Sequence, residues 1–423
     1  MQANSKSSPL PPPPPPPPSP AVTDLHPKQK EGAAPPLPAA ASPPPPPPAG
    51  GPPSPGSGER NWIPLSSSPS ESSSSRQAKR PLVSSAAMRS TKPADITSFD
   101  WHKADGFRRS SEGSAGVFFI KSESQGMVVV KGSSTITVEA FGALLAERLE
   151  VTAPKVRVLE YTNPEWRVMK RKLFSLAKRI GENDSVKVEK ELDRAFVLVM
   201  EYVPGKDLET LGPEMALKVF GGDWGRYILQ QMGRIVVFDM LCNNWDRLPA
   251  VWDNDGNAKN IILSKLTAKK QNGSDEAAAD SEDEEEEGWR VVAIDQGLSC
   301  INPETFRSGY DKYMNRVKEF ALEVVQEKPS EGLTKIRELL RLCTAYDITE
   351  AGMAELRQGI IDGMLFAVKA LSREVLQELK DQVATMVTMD WADVWASGLQ
   401  QINVDFIAAV LDIFREVLHE RKD

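Results

Sequence analysis

Apolar residues become regular along this chain only near Phe99. Gly116–Ile120 (GVFFI) and Met127–Val130 (MVVV) are short β-type runs joined by the turn-like segment Lys121–Gly126, which predicts two neighbouring strands. Thr137–Leu149 (TVEAFGALLAERL) then places Phe141, Leu144, Leu145 and Leu149 on one stripe, the pattern of an amphipathic helix. Val156–Tyr161 and Ala195–Met200 (AFVLVM) predict two further strands, and the second runs into EYVPGKDL, where Pro204 and Gly205 break the sheet. Between them, Arg167–Arg194 is rich in both charges, yet Met169, Leu173, Leu176, Ala177 and Ile180 fall at helical spacing and predict a surface helix. From Gly222 the period is helical almost to the end: Trp224–Leu241 is one long helix and Thr334–Leu418 several more. A strand-rich part, a Pro-Gly break and a helix-rich part predict an α+β chain of two lobes. A cleft between lobes is where a small-molecule site is expected.

Composition adds a third region. From Ser8 to about Ser90 the chain is mostly Pro, Ser, Gly and Ala, including PLPPPPPPPPSP and SPPPPPPAGGPPSP. So little apolar side chain cannot offset the entropy of ordering, so residues 1–98 are expected to form a disordered Pro/Ser-rich tail. Its Pro runs favour polyproline II, the conformation that SH3, WW and profilin-type grooves accept, although a plain spacer explains them equally. Ser19, Ser42, Ser54 and Ser68 each precede a Pro. The first folded lobe is expected over 99–204, with the charged insertion at 163–194. The second is expected over 205–423, interrupted at 268–288 by an acidic, solvated insertion (GSDEAAADSEDEEEEG at its centre).

Several function classes fall away on composition. The N-terminus lacks the apolar core of a signal peptide, and no apolar run approaches the roughly 20 residues that cross a bilayer. Cys242, Cys300 and Cys343 show no CxxC spacing, the pattern of reduced thiols in an intracellular protein. With only His26, His102 and His419, zinc hydrolysis and Ser-His-Asp chemistry are poor candidates. Basic patches lack aromatic interleaving or any nucleic-acid module, so nucleic-acid binding ranks low.

Four polar elements would line the cleft. Gly113, Ser114 and Gly116 (SSEGSAGVFF) lie before and in the first strand, where missing side chains let backbone amides approach phosphate oxygens. Lys131 ends an apolar strand, and Glu139 sits eight residues on in a first helical turn. Asp246 and Asn260 lie in CNNWDRLPAVWDNDGNAKNIIL, a stretch that also reads as a β-hairpin because Asp255-Gly256-Asn257 is turn chemistry. DNDG does not make it a calcium loop, because Val251 stands where an EF-hand needs Asp and no Glu closes the loop. Asp295, in VVAIDQGLSC, is a carboxylate delivered at a strand end, which needs a cation, a metal or a helix N-terminus as partner. With Asn260 it offers oxygen ligands suited to Mg²⁺.

In their order, these parts resemble the protein kinase-like fold. More narrowly, GVFFIKS…VVVKGSSTITVEAFGALLAERL, DMLCNNWDRLP and AIDQGLS resemble the catalytic domain of actin-fragmin kinase and its plant relatives. The resemblance covers the chain from about Phe99 and is most specific in NNWDRLP and AIDQG. It implies a small β-rich N-lobe, a larger helical C-lobe and an ATP site. Glu201 and Val203 of the hinge-like Met200–Val203 would lie beside the base, Lys131 would be oriented by Glu139 toward the α/β phosphates, Asp246 would be the catalytic base, and Asn260 and Asp295 would hold Mg²⁺. Departures are plain: no full GxGxxG, no His-Arg-Asp, Gln296 where Phe is usual, and an insertion between Asp246 and Asn260. By analogy the substrate is a cytoskeletal protein such as actin or tubulin, in the cytoplasm. A pseudokinase scaffold recruiting partners through the tail and a phosphoinositide kinase are the alternatives. Retention of Lys131, Glu139, Asp246, Asn260 and Asp295 together favours an active enzyme.

Overall fold

A computed structural model describes residues 91–110, 116–266, 288–388 and 392–420, together with Val83 and Met88. Every described residue belongs to one unit, Ser75–Asp423. The Pro-rich runs, Gly113, Ser114 and the acidic insertion at 268–287 lie outside the described residues.

The N-terminal lobe is built on an antiparallel sheet of five strands: β1 (Gly106–Arg109), β2 (Gly116–Ser122), β3 (Gly126–Gly132), β4 (Val156–Glu160) and β5 (Phe196–Glu201). Their order across the sheet is β1-β2-β3-β5-β4. Helix α1 (Ile136–Arg148) connects β3 to β4. Helices α2 (Pro164–Ile180) and α3 (Glu182–Glu191) occupy the charged connection from β4 to β5. Asn163 caps α2 by accepting from the Glu165 N–H, and Pro164 fills the first position, where its missing N–H costs nothing.

Side-chain alternation shows why β3 is buried along its whole length. Phe118, Ile120, Val128, Val130, Val197 and Val199 point to one face and share a core with Trp166, Met169, Leu173, Leu176 and Ala177 of α2. The charged insertion therefore lays its apolar stripe across the outer face of the sheet, with its charges turned to water. The opposite face carries Val117, Phe119, Val129, Lys131, Leu198 and Met200, paired in register. Packing also starts upstream of Phe99, because Ala94 and Ile96 are buried in the α2 core and Pro93 bridges to Met127.

The second lobe begins with β6 (Lys206–Asp207), α4 (Pro213–Gly221) and α5 (Gly225–Cys242). A small antiparallel sheet joins β6, β7 (Ile261–Lys265) and β8 (Trp289–Ala293) in the order β6-β7-β8. Helices α6 (Arg307–Val325), α7 (Glu331–Thr344), α8 (Glu350–Ala370), α9 (Arg373–Ala384), α10 (Ala392–Gln400) and α11 (Val404–Glu420) complete it. Helix α5 is its axis, with Ile228, Met232, Val236, Phe238 and Leu241 all buried. Residues 243–257 form bends and turns rather than the β-hairpin the turn chemistry allowed. The chain reverses at Gly256 (φ +69°), and the Asn257 N–H returns to the Arg247 carbonyl at 3.0 Å, so the turn closes on the loop itself and leaves no strand pair.

The lobes share one hydrophobic core at the α1 end. Phe141 and Leu145 of α1 belong to the same cluster as α5, α8 and α11. Phe196 meets Trp395 of α10 edge-to-face at 4.9 Å between ring centres. The architecture is a β-rich lobe followed by a larger helical lobe, a two-lobed protein kinase-like fold.

Candidate active site

Lys131 leaves β3 on the cleft face and is almost fully buried, with 9% of its side chain exposed. Its Nζ donates to Glu139 Oε2 at 2.7 Å and to Asp295 Oδ1 at 2.6 Å. Glu139 lies in the first turn of α1, and its other oxygen accepts from the Thr135 hydroxyl at 2.9 Å, which fixes the carboxylate. Burial pulls the Lys131 ammonium down, but the two carboxylates outweigh it and hold its pKa above the ordinary lysine value. Lys131 is therefore a cation at every physiological pH.

Asp295 follows β8 in the left-handed region (φ +58°), which Asp tolerates better than most residues. Nearly half of its side chain, 47%, remains exposed. Asn260 ends the 3₁₀ turn Ala258–Asn260, directly before β7. Ile261 pairs with Ala293 across the small sheet, and the Ile294 N–H donates to the Asn260 carbonyl at 3.0 Å. Asn260 and Asp295 are thus brought to the same end of two neighbouring strands. The Asn260 amide donates to the Asp246 carbonyl at 2.7 Å and to Asp246 Oδ2 at 3.1 Å. The structure thus joins Lys131, Glu139 and Asp295 in one set, and Asp246 and Asn260 in another.

A deeper layer, which sequence reasoning missed, supports both sets. Arg247 is fully buried, and its guanidinium is ion-paired with Asp239 of α5, also fully buried. The same guanidinium donates to the carbonyls of Ile294 (2.8 Å) and Asp295 (3.3 Å) and to the Gln296 side chain (3.0 Å). Asn244 donates to Asp239 at 3.1 Å and accepts from the Asp246 N–H at 3.3 Å. Burial pushes the Asp239 carboxyl up, to about 7, against the pull of Arg247 and Asn244. A signal existed in the sequence: an Asp within IVVFDMLC, a buried-type stretch, requires a buried partner. Cys242 ends that stretch, and burial pushes its thiol up, so it is not an activated nucleophile.

The remaining candidates divide. Gly116 pairs with Gly132, but a side chain at Gly116 would strike Glu191 of α3 on the outer face. Its missing side chain therefore makes room for the insertion helix, a different reason from the phosphate approach expected of it. Glu201 ends β5; its N–H donates to the Lys155 carbonyl at 2.8 Å, and its carboxylate accepts from the Lys155 N–H at 3.3 Å. Val203 follows it, half-buried. The apolar cleft face between this segment and Lys131 is not bare. Val117, Phe119, Val129, Met200 and Tyr202 cluster with Val83 and Met88 from upstream, and the Tyr202 hydroxyl donates to the Met88 carbonyl at 2.9 Å.

The donor set fits a hard divalent cation. Asp295 and Asn260 offer a carboxylate and an amide oxygen, with neither thiol nor imidazole beside them. Among the described residues no cluster of three or more His, Cys, Asp or Glu forms a ready-made metal cage. No helix among the described residues is long and apolar enough to cross a membrane.

Comparison with known proteins identifies the family. The family model described as "Actin-fragmin kinase, catalytic" matches residues 83–364, more than half of the chain. Curated relatives from Dictyostelium discoideum carry actin-fragmin kinase names. One is 28% identical over 329 residues, covering 75% of this chain and 74% of the relative. A second is 26% identical over 303 residues, covering 70% and 64%, and a third is 25% identical over 300 residues, covering 70% and 68%. The match begins at Val83 and takes in both sets of polar residues: the chain belongs to the actin-fragmin kinase catalytic family.

Proposed function

We propose that the protein is an ATP-dependent phosphotransferase that phosphorylates Ser or Thr of a protein substrate. The observation that carries this reading is the Lys131 ammonium held between Glu139 and Asp295, across the cleft from the Asp246–Asn260 pair. In phosphoryl transfer the protein mainly positions groups and neutralises charge. Lys131 supplies a permanent positive charge to the α/β phosphates, and Glu139, itself held by Thr135, keeps the long side chain aimed. Asp246 orients the attacking hydroxyl and accepts its proton, while Asn260 holds that carboxylate in place. Asp295 and Asn260 would hold Mg²⁺, which when bound neutralises charge developing on the phosphates. The backbone of Glu201 and Val203 would face the adenine edge.

An actin-related substrate is supported by the names of the relatives, and tubulin is the second cytoskeletal candidate. Trp245, next in the chain to Asp246 and 52% exposed, offers apolar surface beside the base, which suits a macromolecule. The test is incubation of the purified chain with γ-labelled ATP, Mg²⁺ and, separately, actin, tubulin and phosphoinositide vesicles. Label on Ser or Thr of a cytoskeletal protein supports the reading. Label only on lipid, or none with any acceptor, overturns it.

A further inference from the structure

Arg247 and Gln296 occupy a position that the phosphotransfer reading leaves without a role. Gln296 is 5% exposed, and both ends of its amide are engaged: Nε2 donates to the Ala293 carbonyl at 2.6 Å and Oε1 accepts from Arg247 at 3.0 Å. On its other side stands α1. A Cβ added at Gly142 would lie 2.8 Å from the Gln296 Cβ and 3.1 Å from its carbonyl oxygen, so the helix presses on Gln296 at the one turn that has no side chain. Gly142 lies three residues, just under one turn, beyond Glu139. The guanidinium that holds Gln296 also holds the Ile294 and Asp295 carbonyls and Asp239, and Asp239 holds Asn244, which receives the Asp246 N–H.

We propose that Gln296 and Arg247 are positioning residues that couple the seating of α1, and with it the Glu139–Lys131 pair, to the loop carrying Asp246. The inference rests on the phosphotransfer reading for its consequence in turnover, but the coupling is a property of the fold. Geometry supports a two-ended link. The hydrogen bonds of Gln296 to Ala293 and Arg247, and of Asp239 to Arg247 and Asn244, are buried, where an unpaired partner costs far more than in water. Displacement of α1 removes the contact on the Gln296 Cβ and carbonyl, which sets the backbone from which the amide reaches the guanidinium. Conversely, loss of Arg247 leaves the Gln296 amide on the Ala293 carbonyl alone and loosens the residue that meets α1. An apolar side chain at 296 would keep a contact with Gly142 but not the hydrogen bonds that hold residue 296 in place against it. That gives the polar residue at this position a reason.

The experiment is amide hydrogen exchange on the full chain, comparing wild type with Gln296→Leu and Gly142→Ala. Gln296→Leu keeps bulk beside α1 and removes both hydrogen bonds; Gly142→Ala pushes on the same contact from the helix. Exchange in residues 136–148 and 243–247 should rise together, by about tenfold, with the α8 core unchanged. Where wild type transfers phosphate, kcat should fall in both variants by a larger factor than KM for ATP rises. If exchange rises but wild type labels no acceptor, the coupling stands and the phosphotransfer reading fails. If Gln296→Leu leaves residues 136–148 and 243–247 as in wild type, or raises exchange equally in α8, the link is ordinary packing and the proposal is overturned.

Discussion

Lys131 and Arg247, the two buried cations among the described residues, use similar partners in opposite ways. Lys131, in the strand-rich lobe, is flexible, single-pointed and bound to one buried carboxylate and one that is half in water. Arg247, in the helical lobe, is planar, fully buried and divided among a carboxylate, two carbonyls and an amide. A lysine of the first kind can exchange Asp295 for another anion at little cost, because water rehydrates the carboxylate it leaves. An arginine of the second kind has no such exchange open to it, because Asp239 and Gln296, once abandoned, stay buried and unpaired. The difference separates a residue that can meet a substrate from one that holds the frame on which substrate-facing residues stand.

The largest effect should come from neither cation but from Asp246, next to Arg247 in the chain. Asp246→Asn keeps size and hydrogen bonding while removing the charge, and turnover should fall by about 10² to 10⁴-fold. Steady-state kinetics should show ATP affinity nearly unchanged. Near-normal turnover would make Asp246 a loop residue whose role is to accept from Asn260.

Next in size is the buried pair. Arg247→Met strands Asp239 in the core and should cost about 3 to 5 kcal/mol in a urea titration, whereas Asp239→Leu combined with Arg247→Met should recover much of that loss. Lys131→Met should cost less, about 1 to 3 kcal/mol, because it strands Glu139 but leaves Asp295 hydrated. Equal losses at the two sites would erase the distinction drawn here.

The smallest effect per step of the measurement is a pH slope, at most about 1.4 kcal/mol per pH unit. Asp239 has its folded pKa raised from 3.8 to about 7, so the folded chain binds that proton more tightly than the unfolded chain. Its contribution to stability is complete below pH 3.8 and is lost as pH rises toward about 7. Denaturation midpoints measured across that window should slope downward in wild type and flatten in Asp239→Asn. An unchanged slope would assign the effect to other groups.

How far the sequence foretold this depends on whether a feature is local. The runs GVFFI, MVVV and AFVLVM became β2, β3 and β5 because period-two apolar residues at that density have no better place than a sheet buried on both faces. Strand β1 (GFRR) escaped notice because Phe107 is its one apolar residue, and two-residue β6 carries no period at all. Lys131, Glu139, Asp246, Asn260 and Asp295 were legible as chemistry, yet the Lys131–Asp295 contact spans 164 positions and only the fold makes it. Arg247 was unreadable as a core residue because its neighbours Trp245 and Asp246 are polar or exposed, while its partners arrive from α5 and the end of β8. Gly116 was noticed for its missing side chain, but the outer-face helix that needs the room lies in a segment whose charges suggested only surface.

The central claim, that this cleft binds a nucleotide with its metal, is tested most directly by the thermal and denaturant stability of the purified chain with and without Mg²⁺ and ATP. At about 100 times its dissociation constant, bound nucleotide should add about 2.7 kcal/mol to wild type. Asp295→Asn should lose the magnesium-dependent part of that gain, and Lys131→Met most of the whole. No gain in wild type, or an equal gain in both variants, would contradict the account.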